Sequence, residues 1–199
     1  MARQVDGVWL PERVSGHPAL ELNNTVGGWL FDVPREYLVD YRTLVTLCRD
    51  VGLLDAATTR ALLASARHRP DLADAVLQDT KELRTALHAV LLEDPLPARA
   101  AAQFHRHVSA AMSDSGYVRD VDGSLRLDGG EGMRLPLRRL ALALHSLLES
   151  QPQKAIRPCA DERCGWVFLD PSGRRRWCEM SVCGNRAKAR RFVQRHRTH

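Results

Sequence analysis

Four of the chain's five cysteines, Cys159, Cys164, Cys178 and Cys183, fall within 25 residues. They read C-x4-C, thirteen residues, then C-x4-C. Thiolates are soft, negative ligands, and Zn²⁺ takes four of them tetrahedrally at about 2.3 Å. A short loop inside each pair turns both sulfurs toward one point, and the gap leaves room for a small hairpin. Other uses of four cysteines fit less well. A redox pair is more often spaced C-x2-C. Iron–sulfur clusters also take four cysteines, but the surroundings here are rich in arginine. Disulfides need an oxidising compartment, and the stretch Met1 to Val14 has no signal-peptide core. The expected cofactor is one structural Zn²⁺ in a cytoplasmic protein. Four thiolates leave no open position for water, so a catalytic zinc is not expected. Cys48 stands apart on the apolar side of a predicted helix and reads as a small buried hydrophobe.

The same segment carries the positive charge. Residues 157–199 hold ten Arg and one Lys against two Asp and two Glu, a net +7, while the other 156 residues hold 18 basic and 20 acidic groups. A local excess of this kind suits an acidic partner, nucleic acid first. After Cys183 the sequence predicts a helix of three to four turns with its N-terminus at the metal, where the helix dipole favours thiolate. Arg186, Arg190, Gln194 and Arg197 recur on it at spacings of four, four and three, which makes one stripe. Lys188, Arg191 and Arg195 flank the stripe, and Arg174, Arg175 and Arg176 approach from the predicted hairpin. Ala189, Phe192, Val193 and His196 form an apolar back expected to pack on that hairpin. Such a helix suits a major groove, where Arg bonds guanine edges and Gln adenine. The same groups can instead touch phosphates alone, or remain a solvated face paired with acids elsewhere in the chain.

Positioning these residues requires a folded body. The composition, 44% hydrophobic and 27% charged with 6% aromatics, supplies a core and favours helix packing. No apolar run is long enough to cross a membrane. The first fifteen residues read as an irregular arm. Helices are expected over Ala19 to Val26, from Pro34 (with Asp32 as a cap) to the stop at Gly52, from Asp55 to Pro70, from Asp71 to Pro95, over Ala98 to Ser113, and over Leu135 to Glu149. Tyr117–Val121 and Ser124–Leu127 flank Asp122-Gly123, the signature of a hairpin with a type I′ turn. The polar run Ser150 to Lys154 is the expected boundary. Within the metal segment, Val167–Leu169 and Arg176-Trp177 are the expected strands, turning at Asp170 to Gly173. The fold class is therefore mainly α: a helical domain over 1–150 with one short β-hairpin, and a treble-clef-like zinc finger over 155–199.

These residues also carry a likeness. Cys183-Gly184-Asn185-Arg186, followed by Ala-Lys-Ala-Arg-Arg, resembles the CGNR zinc-finger family. Arg157-Pro158-Cys159-Ala160, Cys164 to Asp170, and Arg175-Arg176-Trp177-Cys178 agree with it. Leu20-Glu21-Leu22-Asn23-Asn24-Thr25 is similar to the opening Asn-Thr motif of the ABATE domain that usually precedes this finger, with Asn23 where an apolar residue is more usual. The resemblance implies a bacterial, stress-induced transcription regulator whose four cysteines bind zinc and whose finger binds DNA.

For the helical half, two roles stand open: sensing a small molecule, or forming a homodimer. Asn23, Asn24 and Thr25, beside Gly27-Gly28 and Trp29, are the polar cluster a ligand could use; the plainer reading is that they cap a helix and shape a turn. His105 and His107 lie two apart, on different sides of a helix, and cannot chelate one ion. No phosphate-binding glycine loop or nucleophile elbow occurs, and an enzyme is not expected. The alternative function is a zinc-stabilised protein-interaction module without nucleic-acid binding.

Overall fold

The computed structural model describes residues 1–197; the side chains of Gln153 and Arg197 lie outside that description. Two antiparallel strands, β1 (Ala2–Val5) and β2 (Val8–Pro11), open the chain. The expected irregular arm is thus a hairpin. Its turn is Asp6-Gly7, with φ of 47° and 78°, the double positive φ that a type I′ turn requires.

A 3₁₀ helix, Pro18–Thr25, follows in place of the expected α-helix. Every residue from Ala19 to Thr25 is buried. Such a segment has no solvent face, so helical periodicity cannot describe it. It threads between the helical body and the C-terminal segment. Strands β3 (Val26–Gly27) and β4 (Arg35–Glu36) pair next. Pro34 precedes a strand rather than a helix.

Helix α1 (Tyr41–Asp50) starts where Asp40 caps it, accepting from the Thr43 N–H at 2.7 Å. It ends before Gly52, at φ 81°. Asp55 caps α2 (Ala56–His68), as expected. Helix α3 (Pro70–Leu92) begins with proline at its first position, where a missing N–H costs nothing. Helix α4 (Ala98–Ser113) packs against α3 and α5 (Leu135–Ser150). Leucines at 44, 83, 87, 140 and 144 are fully buried at the centre of this body. Between α4 and α5 stand strands β5 (Tyr117–Arg119) and β6 (Leu125–Leu127). Here Gly123 alone takes positive φ, and the Gly123 N–H donates to the Asp120 carbonyl. The loop is longer than the expected two-residue turn.

The C-terminal segment departs from expectation in its pairing. β8 (Val167–Leu169) is a strand as expected, but its partner is β7 (Ile156–Pro158), upstream of the first cysteine. The hairpin therefore encloses Cys159 and Cys164 instead of bridging the two cysteine pairs. The Cys159 N–H extends the ladder by donating to the Trp166 carbonyl at 2.8 Å. After Cys178 a wide helical turn, Met180–Gly184, leads directly into α6 (Asn185–Arg197).

Candidate metal centre and its basic helix

Each cysteine pair is held by local structure. The β7–β8 ladder brings both ends of the 159–164 loop together. Gly165 then takes φ +68°, and a Cβ on it would lie 2.5 Å from the Trp29 Cβ, so no larger residue fits. On the other side, the Arg175 guanidinium reaches the carbonyls of Trp177 and Cys178 and lies 4.2 Å above the Phe168 ring. The wide turn presents Cys183 at the start of α6. The result is four buried sulfurs, all within 4.8 Å of one another. Cys178 lies 3.7 Å from Cys164 and 3.5 Å from Cys183, sulfur to sulfur. A tetrahedron with ~2.3 Å Zn–S bonds has edges of about 3.8 Å. The Cys178 N–H also donates to the Cys159 sulfur at 3.4 Å.

Donor type, number, spacing and burial all fit Zn²⁺, which the four cysteines are placed to hold as a closed structural site. Hydrogen bonding among the sulfurs draws the Cys159 thiol down, chiefly through Cys164, and pushes Cys178 up, chiefly through Cys159. Crowded sulfurs hold one another's protons, and a divalent cation replaces those protons. Cys48 is excluded from the site: fully buried on α1, its thiol is pushed up by desolvation and faces the Pro136 carbonyl.

The basic residues divide into two sets. Asp161, in the loop between Cys159 and Cys164, has a fully buried side chain that accepts from Arg186 at 2.9 Å and from Arg190 at 2.8 Å. Two members of the expected base-reading stripe thus pin α6 to the metal loop, and Ala187 is buried between them. Arg175 faces inward as described. By contrast, Arg174, Lys188 and Arg191 are exposed, and their side chains make no hydrogen bond or ion pair among the described residues. Gln194 is exposed as well; the Arg197 side chain lies outside the described residues. The expected apolar back of α6 does not pack on the hairpin: Phe192 and Val193 are 57% and 48% exposed.

Asn23, Asn24 and Thr25 prove to be the junction between the two halves. All three are fully buried. The Asn24 side chain accepts from the Val167 N–H and donates to the Val167 carbonyl, both at 3.0 Å, as a neighbouring strand would. Asn23 donates to the Gly165 carbonyl at 3.1 Å. The Trp29 and Leu30 N–H groups donate to the carbonyls of Cys164 and Arg163, and the Trp166 indole donates to Val26 at 2.7 Å. These partners leave the three residues no open surface for a ligand. Asn23 also explains its own polarity. Its side-chain oxygen can only accept, so the His88 Nδ1–H 3.0 Å away donates to it. The His88 ring stacks on Trp29 with centroids 3.9 Å apart, and burial lowers its pKa to about 4.

Nearby, Arg84 is almost fully buried and binds both oxygens of Glu36 at 2.7 Å and Thr25 at 2.9 Å. Burial pushes Glu36 up, but Arg84 outweighs it and the carboxyl stays below its usual range. Sequence reading missed Asp161, Arg84, Glu36 and His88. Arg84 left one trace, a charge at helical spacing among Leu77, Thr80, Leu87 and Leu91 on the apolar face of α3. A cleft of about 200 Å³ opens at the same junction, where Phe31, Arg35 and Tyr37 face Cys164, Cys183 and Arg186.

A closed four-cysteine centre, a knuckle hairpin and an emerging helix, docked on a helical body, define a zinc-finger protein. Comparison agrees: the CGNR zinc finger model matches residues 156–196, and the ABATE model, described as "Putative stress-induced transcription regulator", matches residues 16–151. The chain belongs to the ABATE family and carries a CGNR zinc finger. No curated protein matches it.

Proposed function

We propose that the chain is a bacterial transcription regulator whose zinc finger grips duplex DNA. The observation that carries this reading is the set of cations left over after the finger has been assembled. Arg175, Arg186 and Arg190 hold the metal loops, yet Arg174, Lys188 and Arg191 stay exposed with no side-chain partner among the described residues. Cations without partners beside a rigid scaffold are what phosphate contacts require. These three are the proposed contact residues; Gln194, four residues after Arg190, lies on that residue's side of α6 and is not among them. The family description supports the regulatory role, and the ratio of 26 Arg to 3 Lys fits a GC-rich bacterial genome.

The test is selection of bound duplexes from a random pool with zinc-loaded protein, using Cys178→Ser as control. The expected result is enrichment that falls steeply with salt and disappears in the control. Affinity no better than that of a charge-neutral protein overturns the reading and favours a finger that docks protein alone.

A further inference from the structure

Neither the metal site nor its anchoring contacts explain Phe192, which stands more than half exposed on the basic helix. Arg186, Ala187 and Arg190 define the inward face of α6, because Asp161 binds the two arginines and Ala187 is buried. At ~100° per residue, Phe192 lies about 200° around the axis from Arg190 and points away from the body. Lys188 lies one turn before it and Arg195 nearly one turn after it, on the same ridge, with Arg191 alongside. From Arg191 to His196 every side chain is exposed. The His196 ring meets Phe192 edge-on, centroids 4.2 Å apart, which steadies the phenyl group.

An apolar ring among outward cations needs a partner that is both anionic and locally apolar. The DNA major groove is such a surface: phosphates line its walls, and the thymine 5-methyl projects from its floor. It is about 12 Å wide, and an α-helix with side chains is about 10–12 Å across. The major groove of A-form RNA is too narrow for side chains to read. We infer that α6 enters the major groove by its Lys188–Phe192–Arg195 ridge and that Phe192 seats against thymine methyl groups, giving the finger a preference for thymine at the centre of its site. Lys188 and Arg191 then face phosphates or base edges on either side. This inference rests on the DNA-binding reading above.

The experiment takes a duplex recovered by selection and replaces each thymine in turn by deoxyuridine, which removes only the methyl. For the unaltered protein, at least one replacement should weaken binding about fourfold, the effect of unburying one methyl. Phe192→Ala should bind the parent duplex more weakly and lose that discrimination, with a thymine-to-uracil ratio near one. Zinc content equal to that of the unaltered protein shows that the variant is folded. A ratio near one at every position in the unaltered protein, or the same ratio in Phe192→Ala, overturns the role of Phe192 while leaving DNA binding intact. No duplex binding at all overturns both.

Discussion

Asp161 decides what two arginines do. A fully buried carboxylate needs its charge balanced, and Arg186 and Arg190 are the groups that balance it. Substituting Asp161→Asn removes the charge but keeps the shape. It should lower the stability of the finger by ~1–2 kcal/mol, read as faster zinc loss to a competing chelator. Unchanged zinc retention would show that the two pairs do not anchor α6. His88 gives a second prediction. Its folded pKa of about 4 lies below its ordinary value, so the unfolded chain binds the proton first as pH falls. The neutral ring's full contribution is present above pH ~6.5 and is lost progressively toward pH ~4. His88→Phe should flatten this part of the stability profile, measured as the urea midpoint against pH. An equal acid sensitivity in the variant would place it elsewhere.

At the scale of elements, the finger and the 3₁₀ helix are built for each other. Asn24 supplies the edge of β8 with the two hydrogen bonds a third strand would give. Asn24→Ala should therefore leave a buried N–H and carbonyl of Val167 unpaired and destabilise the junction by ~2–3 kcal/mol. Chelating the metal should act more widely. A segment of about 40 residues cannot hold itself by burial alone, so zinc removal should expose Trp166, now 3% exposed. Its emission should shift to the red while most far-ultraviolet helix signal persists, because the helical core is a separate cluster. Complete loss of helix signal would mean that the body depends on the metal as well. Much of the helical layout was legible in advance: Asp55 capped α2 as its position implied, and α4 and α5 occupy the expected ranges. The hairpins were less legible. Asp6-Gly7 between Val5 and Val8 carried the same turn signal as Asp122-Gly123, and it is the earlier pair that adopts the double positive φ.

Across the whole molecule, charge and packing meet on α6. If Arg174, Lys188 and Arg191 each neutralise one phosphate, log affinity should fall with log salt at a slope of about −2.7, and Lys188→Ala should reduce its magnitude by ~0.9. Arg190→Ala should instead loosen the finger and weaken binding through its structure, with the zinc retention of the Asp161 variant. A larger loss of slope in Arg190→Ala than in Lys188→Ala would contradict this division. The two halves of the chain also share apolar clusters: Leu20 and Leu147 pack with Ile156 and Val167, and Tyr37 packs with Trp166 and the cysteines. The finger is thus packed on the helical body through side chains that come from both.

By itself the sequence determined the metal, its four ligands, the helix after them and the concentration of positive charge, because ligand chemistry, spacing and composition are local properties. Only the tertiary structure decided which arginines face inward, which strand completes the knuckle and what the buried asparagines bind. The arginines of α6 and the buried asparagines depend on partners more than 20 residues away, as with Asp161 and Arg186 or Asn24 and Val167, and the knuckle pairs β8 with a strand upstream of the first cysteine. A buried polar group takes whichever partner the fold brings to it, and no local pattern records that choice.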